Sequence, residues 1–524
     1  MTKYIFIILL SCSALVNAQT AQEKTNARLD RLGGKFRYLL NMINMHYADS
    51  ADLDKISEAA FDHLFKQLDR YSDYMTKEEL KKFTQSVMGS GVGVGINISS
   101  GLNVNRVVYV YADSPADSAG IMAGDSLISI GDTICKGKSR DQLVKLLTGE
   151  SGTKVRIKIQ SLKTHQVREL ELKRTTVIYP SVDYAVMITG TNTGYLRLTK
   201  FTANTYNEFM AAMQNLSKYK PKSLIIDVRD NAGGFVEQSC KIADEFIDST
   251  YILINSVARD SAARFSYYSR KGGKFADLSL IVLINNRTAS SAEILAGIFQ
   301  DLDRAKLVGQ QSYGKGSVQQ FWQLTDSSGI KLTTSKYILP SGRHLSRPAA
   351  VDAELDESAR LSANSADLKS IKSQINQFGG RTSLPVFKTL NGRVVFGESG
   401  IMPDQSYTHD SLTALTQVCA SKELFFEYAV NLIDSGYFQK SANCVSLDDN
   451  QIKNFFADES VISKFRKFLA ARNIGNDSML SRDGQYMRRE ILSFAVRCLC
   501  GNRAEQSHRA LNDDYVKSAL KGGK

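Results

Sequence analysis

The sequence lacks most of the patterns that mark common hydrolytic sites. Its six histidines, His46, His63, His165, His344, His409 and His508, are scattered along 524 residues. None has the surroundings of a Ser-His-Asp triad, and G-x-S-x-G is absent around the serines discussed below. No H-E-x-x-H or other cluster with metal-ligand spacing occurs, so metal-dependent hydrolysis has no basis here and no cofactor is expected. There is no internal repeat. After the first residues, no stretch reaches the roughly 18 apolar residues needed to cross a bilayer. The surplus of 66 basic over 54 acidic residues is spread along the chain rather than massed in runs. That distribution argues against a nucleic-acid partner.

The N-terminus carries an address. Met1 to Lys3 is a short positive start, Tyr4 to Val16 is mostly apolar, and Val16-Asn17-Ala18 is a small-residue cleavage pattern. This reads as a secretory signal peptide over residues 1–18, which predicts an exported, periplasmic protein. The rival reading takes Leu9-Leu10-Ser11-Cys12 as a lipoprotein site with the anchor on Cys12. Cleavage after Ala18 leaves Cys135, Cys240, Cys419, Cys444, Cys498 and Cys500. Without a C-x-x-C or a staple-like framework, they are expected to be mainly buried thiols, with at most one bridge near the C-terminus.

Texture divides the remainder. Residues 19–88 form a helical N-terminal region. Residues 89–176 alternate short β-type runs with Gly, Pro and Asp, as in "SGVGVGINI" and "KVRIKIQ". Residues 177–409 read as α/β, with the buried strands "GYLRL", "SLIIDV", "LSLIVLINN" and "AKLVG" separated by helices. The stretch from Ser346 to Pro385 looks like an insertion. Residues 410–524 form a helical extension.

Three features of the α/β region carry the chemistry. In "TASSAEILAG" (Thr288–Gly297) a strand delivers the chain to Ser290, and Ser290 with Glu293 matches a capping box. A hydroxyl there lies beside the backbone N–H groups and positive end of a helix, which suit an oxyanion. In "RDNAGGF", Gly233 and Gly234 follow another buried strand and let the backbone approach a ligand closely. In "SYGKGSVQ", Lys315 lies between two glycines, but Gly316 breaks the phosphate-loop pattern. With no histidine base available, a lysine remains. It would need burial to bring its pKa from about 10.4 toward about 7–8.

The ordered set "LDRYSDY", "SPADSAGIMAGDSLISIGD", "DVRDNAGG", "TASSAE", "SYGKGSVQ", "LPSGR" and "FKTLNGRVVFGESGIMPD" resembles the C-terminal processing peptidases, or tail-specific proteases. These are serine peptidases with a Ser-Lys dyad and a PDZ domain. The resemblance implies an α/β crotonase-like peptidase core with an inserted β-rich PDZ domain and helical N- and C-terminal regions. It assigns Ser290 as nucleophile, Lys315 as general base and Gln319 as the residue orienting that base. It places the oxyanion hole at the backbone N–H groups of Ser291 and Gly234. In the PDZ-like module, Gly91, Val92, Gly93 and Val94 match the loop whose N–H groups cradle a peptide's terminal carboxylate. The implied partners are proteins or peptides with accessible C-termini; a homo-oligomer and a regulatory adaptor are compatible with it. Two departures stand out: Ala232 replaces the usual proline, and Ser291-Ala292 inverts the usual Ala-Ser. The competing function is a catalytically inactive periplasmic PDZ adaptor, which would be favoured by loss of the serine or lysine; both are present.

Overall fold

The computed structural model describes residues 2–99, 105–347, 384–407, 412–438, 447–474 and 482–521, with side chains from Glu23 onward except that of Asp449. Most of the Ser346–Pro385 insertion, and the side chain of Cys12, lie outside what is described. The chain forms two compact units, residues 1–80 with 319–333 and residues 81–318 with 334–524.

In the first unit, helices span Thr2–His46 and Leu53–Lys66, the second capped by Asp52, whose carboxylate accepts from Lys55 N–H. The helical texture expected up to residue 88 is interrupted by a short strand, Asp73–Met75, paired antiparallel with Gly329–Lys331. Asp69 closes the preceding turn by accepting from the N–H groups of Tyr71 and Ser72. It also accepts from the Thr333 hydroxyl.

The second unit is built on a six-stranded sheet. Its order is Val182–Met187, Thr193–Leu198, Ser223–Asp227, Ser279–Ile284, Ala305–Gly309 and Gln405–Ser406. The first pair is antiparallel and the others are parallel. Alternate side chains serve opposite faces. Leu224, Ile226, Val282, Ile284 and Leu307 join one core with the helices Val236–Asp244 and Ser291–Asp301. Ile225, Leu283 and Val308 face the other way, against Tyr515, Val516 and Ala519 from the end of the chain. Both faces are covered, which is why these strands read as unbroken apolar runs.

Two further cores belong to this unit. An antiparallel sheet ordered Thr133–Ile134, Ser126–Ile130, Lys154–Gln160 and Val167–Lys173 encloses Ile130, Leu143, Ile157 and Ile159. Burial alternates strictly along Lys154–Gln160, as an amphipathic strand requires. The helix Arg140–Leu147 beside it opens with a complete Ser139–Gln142 capping box. The C-terminal helices from Ala414–Ser421 to Gly484–Cys500 surround an aromatic-rich core that includes Phe425, Phe426, Phe455 and Phe465. Cys135, Cys240, Cys419 and Cys498 are buried free thiols, whereas Cys500 is disulfide-bonded.

Candidate active site

The strand Ser279–Ile284 ends in a turn that is tied on both sides. Asn285 Oδ1 accepts from the N–H groups of Asp230 (3.0 Å) and Arg287 (3.1 Å), and the Thr288 hydroxyl donates to Val228 O (2.9 Å). Ser290 follows with φ 55° and ψ −122°, a conformation few non-glycine residues adopt. The helix Ser291–Asp301 starts immediately after it and is buried along its whole length. Ser290 and Glu293 face one another as in a capping box, but its two arms are unequal. Glu293 Oε2 accepts from Ser290 N–H at 2.9 Å, whereas the Ser290 hydroxyl makes no well-formed cap bond. The capping box expected from the sequence is therefore present, but on a Ser290 backbone unlike the extended one of an ordinary N-cap.

Glu293 is the hub of the site. Its fully buried carboxylate takes four donors. Oε2 accepts from the N–H groups of both Ser290 and Lys315, each at 2.9 Å. Oε1 accepts from the Ser312 hydroxyl (2.5 Å) and Gly314 N–H (2.7 Å). Burial pushes this carboxyl above its ordinary range, and the four hydrogen bonds oppose the shift. A further bond, Tyr313 N–H to Thr288 O (3.0 Å), joins the same two loops. Lys315 itself is half-buried, and its carbonyl accepts from the hydroxyl of the fully buried Tyr337. Ser312 is held in turn, since its oxygen accepts from Ile401 N–H at 2.6 Å.

The glycine pair packs directly against Ser290. A Cβ at Gly233 would lie 2.7 Å from Ser290 Cβ and 2.9 Å from Ser291 N, and one at Gly234 would overlap Phe201 O. Both glycines also have positive φ, 95° and 142°, so two constraints exclude a side chain. Gly233 N–H is occupied by Asn231 Oδ1 at 2.8 Å. Asn231 is anchored by its amide to Leu198 O (3.0 Å), while its carbonyl accepts from Ala289 N–H (2.9 Å). Among the described residues, no acceptor takes the N–H of Gly234 or of Ser291. The Ser291 hydroxyl is turned to Gly234 O at 2.6 Å, and that bond ties the glycine loop to the helix.

Two other groups of sequence candidates remain. Gln319 belongs to the first unit, where its amide donates to the Thr333 hydroxyl at 3.2 Å. The reading of Gly91, Val92, Gly93 and Val94 as one carboxylate-cradling loop needs correction. Ser90–Gly93 is a strand paired antiparallel with Thr175–Ile178. Successive N–H groups on a strand point to opposite sides and cannot converge on one anion. Only Val94 of the four lies in the turn, which continues through Gly95 into the strand Ile96–Ile98. Three functional positions escaped the sequence reading: Asn231, Ser312, and Glu293 in any role beyond capping. The only available signal was that Asn231 and Ser312 lie in the same short motifs as the glycine pair and Lys315.

The model of peptidase family S41 matches residues 192–354, which include every element of the site just described apart from Ile401, and a PDZ domain model matches residues 106–161. The carboxy-terminal-processing protease of Bartonella bacilliformis is 30% identical over 339 residues, covering 64% of this chain and 77% of its own. The chain belongs to this family of carboxy-terminal-processing proteases. A probable CtpA-like serine protease of Staphylococcus epidermidis is 32% identical over 314 residues, 59% of this chain. The chain spans 62% of the length of that relative. Among solved structures, the photosystem II D1 C-terminal processing protease aligns with 74% of this family member and 95% of its own chain, at 22% identity and a TM-score of 0.36.

Proposed function

We propose that this family member is an exported serine endopeptidase that uses Ser290 as nucleophile and Lys315 as general base. The observation that carries the reading is the shared oxygen of Glu293, which holds the backbone N–H groups of both residues. One rigid, buried carboxylate thereby fixes the spacing of the two loops, as a dyad requires.

In the proposed reaction, neutral Lys315 takes the Ser290 hydroxyl proton while Oγ attacks the scissile carbonyl. The oxygen of that carbonyl gains negative charge and is met by the N–H groups of Ser291 and Gly234. The lysine then returns the proton to the leaving amine, leaving an acyl-enzyme, which water hydrolyses with the same lysine as base. The open N–H groups of Gly234 and Ser291 support this reading, as does the positive end of a buried helix at Ser291. The parallel sheet and its buried helix are compatible with a crotonase-like core. Within the PDZ module, the turn at Val94–Gly95 and the edge of Ile96–Ile98 would receive a substrate's C-terminal tail by strand addition. We place the protein in the periplasm on its N-terminal pattern.

The test is Lys315→Arg in a peptide-cleavage assay. A guanidinium stays protonated at working pH, so the variant should fold normally and lose turnover. Substantial turnover by Lys315→Arg removes Lys315 as the base.

A further inference from the structure

The glycine loop has a third anchor, supplied by the far end of the chain. Arg229 lies two residues beyond the end of the strand Ser223–Asp227 and four residues before Gly233. Its guanidinium is buried between two carboxylates. On one side is Asp227, fully buried, which accepts from Nε at 2.9 Å and from Nη2 at 2.5 Å. On the other is Asp513, which accepts from Nη1 at 3.2 Å and Nη2 at 2.8 Å. The Tyr515 ring stacks on the same guanidinium, 4.5 Å from its centroid.

Asp227 is shared, since it faces Arg197 at 4.0 Å as well as Arg229. It also accepts from the Tyr195 hydroxyl at 2.6 Å. Asp513 adds position. Its Oδ1 also accepts from Tyr515 N–H (2.8 Å) and Val516 N–H (3.2 Å), so the carboxylate is fixed to the last helix, Asp514–Lys521. That helix is packed by Tyr515, Val516 and Ala519 on the sheet face carrying Tyr195, Ile225 and Leu283. The bidentate pair therefore locks the base of the loop to an element seated on the sheet.

We propose that the C-terminal extension is part of the catalytic assembly. Asp513 and Arg229 are positioning residues that hold the Val228–Gly234 loop so that Gly234 N–H is presented to the reacting carbonyl oxygen. This rests on the peptidase reading above. Asp227 sets the Arg229 rotamer, Asp513 removes the remaining freedom of the loop base, and Asn231 passes the constraint to Gly233 through its 2.8 Å bond. Misplacing an oxyanion donor by about an ångström is enough to cost about 100-fold in rate.

The test uses the full chain. Asp513→Asn keeps the volume and the acceptor that caps the last helix but removes the charge. It should lower kcat on a free-acid peptide by roughly ten- to 100-fold with KM little changed. Affinity for a peptide boronate, which forms a tetrahedral adduct, should fall by the same factor. Binding of the uncleaved peptide, measured in a Ser290→Ala background, should not change. Asp513→Glu, which restores the charge, should recover part of the rate. Gln506→Ala, which frees the extension from Asp183 (2.7 Å) without touching the loop, should keep kcat. A kcat within twofold of wild type in Asp513→Asn overturns the proposal, as does an equal loss in Gln506→Ala. No cleavage and no boronate binding by the wild type overturns the peptidase reading on which the proposal stands.

Discussion

Replacing Glu293 by glutamine tests whether one carboxylate holds the two loops together. The carboxylate accepts four hydrogen bonds, and glutamine has one oxygen to accept them. In the best orientation its oxygen takes the Oε2 position and keeps Ser290 N–H and Lys315 N–H. Its amide then donates to Ser312, whose hydroxyl must turn away. Gly314 N–H is left facing an NH2 group with no acceptor. An orphaned buried donor costs about 1–3 kcal/mol. The retained bonds weaken further, because an ionised acceptor is about twice as strong as a neutral one. Part of this is offset, since the amide carries none of the burial cost that raises the carboxyl's pKa. The net expectation is a loss of about 2–4 kcal/mol, read as a lower urea midpoint at unchanged m value. Peptidase activity of the folded variant should fall by at least tenfold. A variant within 1 kcal/mol of wild type that also keeps full turnover refutes the hub argument.

Other consequences can be checked with the same preparations. Ser290→Ala should cost no more than about 1 kcal/mol, the size of a lost side-chain cap, because the hydroxyl arm of the Ser290–Glu293 box is the weaker of the two; calorimetry decides. His508 is pushed down to about 4 by burial and by Arg509, against the pull of Glu505 and Glu490. The unfolded chain binds the extra proton first, so this contribution is complete above about pH 6.5 and is lost as pH falls toward 4. It amounts to about 3 kcal/mol, and His508→Gln should flatten stability across that window; an unchanged pH slope refutes the assignment. Amidating the C-terminus of a peptide substrate should weaken its capture at sub-saturating concentration, and equal cleavage of acid and amide forms would exclude carboxylate recognition at the Val94–Gly95 turn.

The central strands were readable from sequence because burial on both faces leaves no polar alternation to interpret, as in "SLIIDV" and "LSLIVLINN". The turn at Ser290 was readable because Ser290, Glu293 and the helix are adjacent in sequence. What was lost depends on distance. Glu293 meets Ser312 and Gly314, 19 and 21 residues away, so a local motif could reveal its cap role but not its hub role. Asp513 is 284 residues from Arg229, and nothing in either segment points to the other. The boundary between strand and turn was misread because Gly91 to Gly95 repeats Gly and Val in alternation. That pattern carries no register, and only the pairing with Thr175–Ile178 sets one.

The most direct test of the account is covalent labelling by a serine-directed phosphonate, with the modified residue located by mass spectrometry. Wild type, Ser290→Ala and Ser291→Ala should be compared at equal concentration. The account predicts a single adduct on Ser290 in wild type and in Ser291→Ala, and none in Ser290→Ala. An adduct retained in Ser290→Ala, or located on Ser291 in the wild type, would contradict it.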